Sequence, residues 1–151
     1  MKLPKAIRQH EKASSIEAYL EHDSKELWQQ GTIKVCHQNL TNGLRQGLLL
    51  AKGSGHLLFG LDKIKDHYKK NPLNSESYQN LLILSSEGSE RFYRGAESLL
   101  KRNPALLGLR LDTSPKDLGL LLFEKEKELK AVLVPNTNTM AKILFFAISA
   151  S

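Results

Sequence analysis

One cysteine, Cys36, stands in 151 residues, so the chain cannot close a disulfide within itself. A reducing compartment, the cytoplasm, is the simplest setting for such a chain. Long apolar runs are also missing. The most apolar stretch near the end, Ile143 to Ala150, falls far short of the ~20 residues a membrane helix needs. The opening Met1-Lys-Leu-Pro-Lys-Ala-Ile-Arg8 carries positive charge but no apolar segment behind it, which argues against a secretory signal. The five histidines (His10, His22, His37, His56 and His67) have no ligand spacing among themselves or with Cys36, so no metal is expected. No His-x-Glu, no Gly-x-Ser-x-Gly and no paired carboxylates in an apolar frame are present. Together these absences point away from an enzyme and from a cofactor.

What the chain does have is positive charge, unevenly placed. Its formal net charge is +6, with an isoelectric point near 9.4. Residues 1–75 hold twelve Lys and Arg against seven Asp and Glu; residues 76–151 hold ten against nine. Within 34–70 the balance is seven against two. A local basic excess favours a polyanionic partner, or else it is a solvated lysine face.

The hydrophobic pattern alternates short apolar runs with helical stretches. Residues 1–13 have no period and read as a loose basic arm. Ser15 can cap a helix with apolar positions Ile16, Tyr19, Leu20, Leu27 and Trp28, stopped by Gly31. Thr32 to Cys36 reads as a strand or extended connector. Leu40, Leu44 and Leu48 mark an amphipathic helix through Lys52. Gly43 and Gly47 weaken it by roughly 1 kcal/mol each relative to Ala, so close packing on a neighbour is the reason to keep them. Gly53-Ser54-Gly55 invites a phosphate-loop reading but lacks the Gly-x-x-x-x-Gly-Lys spacing, and reads as a helix-ending turn. His56 to Gly60 is a short extended run, and Asp62 to Lys70 a helix with Ile64 and Tyr68 inward.

From Asn80 the pattern is clearest. Leu81–Leu84, Ala105–Leu111 and Ala131–Val134 are unbroken apolar runs separated by helices, as in a parallel α/β sheet covered on both faces. Ser86 or Ser89 caps the first of those helices. Ser114, Pro115 and Asp117 give the second an N-cap, a first-turn proline and a carboxylate at its positive end. Glu124 to Glu128 reads as an exposed charged turn. A last helix starts near Thr137 or Thr139 and buries Met140, Ile143, Leu144 and Ala147.

This layout resembles the kink-turn-binding ribosomal protein family, the archaeal L-seven-Ae type with its bacterial ribosomal-like relatives. The resemblance runs from about Asn39 to the end. It rests on the turn Ala51-Lys-Gly-Ser-Gly55, the run Leu57-Leu-Phe-Gly60 before a helix, the polar strand end Leu84-Ser-Ser-Glu-Gly88, and the pair Leu118-Gly119. It implies a three-layer α/β/α sandwich with a small mixed, mainly parallel sheet, residues 39–151 forming an RNA-binding domain. Residues 1–38 are then an N-terminal basic arm and helical extension. It also implies non-catalytic binding of structured RNA. The edge it selects holds Lys52, Gly53, Gly60, Lys63, Lys65, Lys69 and Lys70, extended by Arg91 and Arg94 and by Thr113 in the turn before the Leu-Gly helix. The family's RNA helix opens Gly-x-Asn-Glu with a lysine at the seventh position. Here Gly60-Leu61-Asp62-Lys63 opens it and Asp66 takes that position. An aspartate there repels phosphate. Two other functions fit the same architecture: a protein-interaction module, favoured by Asp62 and Asp66, and a substrate-recognition accessory to an RNA-modifying enzyme.

Overall fold

Every residue of Asn80–Leu84 is buried, which requires cover on both faces of the sheet that holds it. The computed structural model describes residues 2–149 and provides that cover. In chain order the elements are α1 (Lys5–Arg8), α2 (Ala13–Glu21), β1 (Ser24–Glu26), β2 (Lys34–Gln38), α3 (Asn42–Gly53) and β3 (Leu58–Phe59). There follow α4 (Leu61–Lys70), β4 (Asn80–Leu84), α5 (Glu90–Arg102), β5 (Leu106–Leu111), α6 (Pro115–Phe123), β6 (Ala131–Val134) and α7 (Thr137–Ser149). The six strands form one open sheet in the order β1-β2-β5-β4-β6-β3.

Two apolar clusters, one on each face, make the fold an α/β/α sandwich. Alternate residues of each strand go to opposite faces, as the pleat dictates. On one face Leu81, Ile83, Leu109, Val132 and Val134 meet Leu44 and Leu48 of α3, Leu118 and Leu122 of α6, and Met140, Ile143 and Leu144 of α7. On the other, Leu82, Leu84, Leu106 and Leu133 meet Ile64 and Tyr68 of α4 and Tyr93, Ala96, Leu99 and Leu100 of α5.

The sheet is mixed, with parallel pairing at its centre. β2 with β5 and β5 with β4 are parallel; β1 with β2, β4 with β6 and β6 with β3 are antiparallel. Ala131–Val134 therefore departs from the parallel reading of its sequence. The cause is the segment after α6. Leu129 N–H donates to Pro115 O at 2.9 Å and Ser85 N–H to Lys130 O at 2.9 Å, so the chain has already returned to the end of the sheet where α6 began. β6 has to start there and run the other way.

The first 38 residues differ most from expectation. The basic arm is not loose: Leu3 and Ile7 are buried in the α7 face of the core, and Tyr78 N–H donates to Lys2 O at 2.7 Å. The helix expected from Ser15 to Gln30 starts at Ala13 and ends at Glu21. Asp23 then takes φ +54° and the chain turns into β1. Leu27 is buried on the α5 face, whereas Ile16 is buried on the α7 face. One helix could not have served both. β2 lies directly against β5, with Cys36 opposite Leu109, so strands on both sides of residue 38 share one sheet.

Candidate nucleic-acid interface

The topology gathers four helix starts at one end of the molecule. β2, β4 and β5 run parallel, and β3, antiparallel to β6, runs with them. Each is followed by a helix, so α3, α4, α5 and α6 all begin at the carboxyl end of these strands. Thr41, Ser89 and Ser114 cap three of them, accepting from the N–H groups of Leu44, Phe92 and Asp117 at 3.3, 3.1 and 3.1 Å. Gly60 stands at the fourth with φ +92°, a conformation that favours glycine. The remaining first-turn N–H groups and the positive helix ends make this end attractive to anions.

A groove of about 520 Å³ opens at this end between the starts of α4 and α5 and the segment after α6. Lys63, Lys65, Arg91, Lys127 and Lys130 line it, against the carboxylates of Asp62 and Glu128. None of those five cations is ion-paired among the described residues. Phe59, Phe92 and Phe123 supply its apolar surface. Phe123 is the hub. Its ring meets Phe59 edge-on at 4.8 Å, and Lys127 Nζ lies 4.5 Å from its centroid. Gly95 leaves room for Lys65, whose Nζ lies 2.9 Å from where a Cβ would stand.

Of the residues singled out in the sequence, the groove brings together Gly60, Lys63, Lys65 and Arg91. Lys52 sits 5.5 Å from the Phe123 centroid and donates to the Leu122 carbonyl, closing the last turn of α6. Gly53 is exposed at the far end of α3; the left-handed residue of that turn is Gly55, φ +76°. Lys69 and Lys70 lie on the last turn of α4, about 9 Å along the axis from Lys63 at the helical rise. Arg94 pairs with Glu90 and lies 5.8 Å from the Trp28 ring, away from the groove. Thr113 is buried, and its carbonyl accepts from Ser86 N–H at 2.9 Å, tying two loops together. Lys127, Lys130, Phe59, Phe92 and Phe123 escaped the sequence reading. The signal that could have found the two lysines was the basic half of the charged run 124–130.

A second, polar cleft lies at the same end, where β1 and β2 meet β5. One lobe, about 380 Å³, is lined by Asp23, Lys25, His37, Gln38, Asn39, Arg110 and Asp112. A smaller lobe, about 310 Å³, shares Lys25, His37 and Arg110 and extends to Trp28. His37 Nε2 donates to Glu26 O at 3.0 Å, and burial, with the charge of Arg110, lowers the pKa of its ring below the usual value. Arg110 lies 4.7 Å from the Tyr93 centroid and donates to Leu27 O at 2.6 Å. A larger cavity, about 810 Å³, is at the opposite end beside Cys36 and Gly108 and holds none of the sequence candidates.

Among the described residues no cluster of His, Cys, Asp and Glu could hold a metal ion, and no helix is long and apolar enough to cross a membrane. No family model and no curated protein matches the chain. Among solved structures, one titled as a protein with unknown function from Bacillus halodurans C is similar over 70% of this chain and 96% of its own, at 18% identity and a TM-score of 0.51. That similarity concerns the fold alone.

Proposed function

We propose that this protein is a non-catalytic RNA-binding protein of the cytoplasm that docks structured RNA on the groove between α4, α5 and the α6–β6 segment. The observation that carries the reading is the groove itself: five cations without an ion pair among the described residues, and three phenylalanines, at the end of the sheet where four helices begin. Lysines and arginines neutralise phosphates and supply affinity with little sequence information. Half-buried aromatic rings between them suit unpaired bases at the margin of a structured RNA. Asp62 and Asp66, where the ribosomal family carries other residues, weaken kink-turn recognition in this reading and leave general RNA affinity. The test is filter binding to a structured RNA from low to moderate salt. Replacing Arg91, Lys127 and Lys130 by Ala should weaken binding and flatten the slope of log affinity against log salt by about 2–3, at 0.7–0.9 per lost phosphate contact. An unchanged slope would remove the groove from the mechanism.

A protein-interaction function has one observation in its favour. Leu49, Leu50 and Leu120 are 43, 61 and 53% exposed on the neighbouring helices α3 and α6. Exposed apolar side chains mark a contact surface where they join into one patch. If the groove variant binds RNA like the parent, this surface becomes the leading candidate.

A further inference from the structure

We propose that the polar cleft between β1, β2 and β5 binds a single guanine nucleotide unit, its phosphate on Lys25 and Arg110 and its base edge on Asp112. This site goes beyond the basic groove and does not depend on it. The two lobes share Lys25, His37 and Arg110, and each lies within the size range of small-ligand sites. They sit at the carboxyl ends of the parallel strands β2 and β5, where open α/β sheets place their ligands.

The cleft holds charges of both signs that do not satisfy one another. Among the described residues Lys25, Arg110 and Asp112 form no ion pair, though they line one lobe. A ligand carrying both an anion and N–H donors satisfies both sets. Arg110 is already positioned: one nitrogen is committed to Leu27 O and the guanidinium lies over Tyr93, which leaves further N–H groups for phosphate oxygens. Asp112 is fixed through its backbone, its N–H donating to Gln38 O at 2.9 Å, while the Gln38 side-chain amide is spent on Tyr19 O at 3.0 Å. A carboxylate accepts two parallel N–H donors. Guanine is the base that offers two adjacent ones, its ring N–H and its exocyclic amine. His37, its Nε2–H spent on Glu26 O, lines both lobes beside Lys25 and Arg110.

The chain has a single tryptophan, Trp28, and it lines the second lobe, so intrinsic fluorescence reports on this cleft. The 151-residue chain would be titrated with GMP, AMP, CMP and UMP. GMP should give a saturable change and bind about tenfold tighter than the others, as one bidentate base contact provides. Lys25→Gln should weaken all four nucleotides. Asp112→Asn should abolish the preference for GMP and leave the weaker binding. Both positions are exposed, so neither change threatens the fold. Oligoribonucleotides with and without guanosine separate a free nucleotide from a unit of RNA. Tighter binding of the guanosine-bearing strand than of GMP assigns the site to RNA; GMP binding alone assigns it to free nucleotide. No saturable GMP response together with equal binding of both strands, or parental behaviour of both variants, would overturn the proposal. Neither result touches the groove, whose failure is read separately from the salt slope of the Arg91, Lys127 and Lys130 variant.

Discussion

A Cβ on Gly119 would collide with the carbonyl oxygen of Lys127. The backbone after α6 passes that close to the helix, and the contact fixes where Lys127 and Lys130 emerge at the groove. In an exposed helix, Gly→Ala gains up to about 1 kcal/mol. Here Gly119→Ala should instead destabilise the protein by about 2–4 kcal/mol, since the clash is with backbone that no side-chain rotation relieves. Urea denaturation of the variant checks it. A variant as stable as the parent would mean that the segment 124–130 moves aside freely.

That contact also marks the limit of what could be read from the sequence. The Leu118-Gly119 pair, the Ser114 cap and the helix were legible, because capping and periodicity are local. The reason for the glycine was not, because Lys127 reaches it only after the chain has doubled back. Gly47 behaves similarly. Its spacing with Gly43 announced a close neighbour, and the structure supplies Ile143, whose Cα would lie 3.2 Å from an added Cβ. The segment 13–28 was misread for a different reason. Ile16, Tyr19, Leu20, Leu27 and Trp28 fit one helical stripe in sequence, yet Ile16 and Leu27 belong to opposite faces of the sheet. Periodicity cannot say that a chain crosses a sheet edge between two apolar residues. Half of the groove was found from its lysines near Gly60; Lys127 and Lys130, far along the chain, required the fold.

Glu97 gives a pH-dependent prediction. It is buried, 8% exposed, accepts from Thr32 N–H at 3.0 Å and Thr32 Oγ1 at 3.3 Å, and pairs with Lys101 at 3.4 Å. Burial is the largest single influence and raises its pKa, but the Thr32 hydrogen bonds and the Lys101 charge together outweigh it, so the carboxyl titrates below its ordinary value. A depressed folded pKa stabilises the fold above the unfolded value, and that contribution is lost as pH falls through the folded one. Stability should therefore drop in acid below the ordinary carboxylate range. Glu97→Gln should lose about 1–3 kcal/mol at pH 7, by leaving Thr32 poorly paired, and show a shallower acid decline. Urea midpoints at pH 7 and in acid test both; parallel pH curves for parent and variant would refute the assignment.

The N-terminal arm carries a stability prediction of its own. Ile7 is fully buried on a four-residue helix that packs on α7. Ile7→Ala should cost about 2–5 kcal/mol, the range for emptying a core position. Removing residues 1–12 should lower the melting temperature, because Leu3 and Ile7 leave with them and the apolar face of α7 is exposed. A truncated protein that melts like the parent would show that the arm lies on the core without holding it.

The two ends of α4 provide the sharpest test of the groove. Lys63 and Lys65 line it, whereas Lys69 and Lys70 lie outside it on the last turn. If phosphates dock in the groove, the pair Lys63→Ala and Lys65→Ala should reduce the salt slope by about 1.4–1.8, two contacts' worth. The pair Lys69→Ala and Lys70→Ala removes the same charge and should leave the slope nearly unchanged. Asp66 lies exposed one turn beyond Asp62 on the same helix. Asp66→Lys removes a repulsive carboxylate and adds a cation, so it should strengthen binding at low salt and steepen the salt dependence. Filter binding of the three variants against one structured RNA decides the matter. Equal loss in both lysine pairs would mean that RNA responds to net charge alone, with the groove playing no special part.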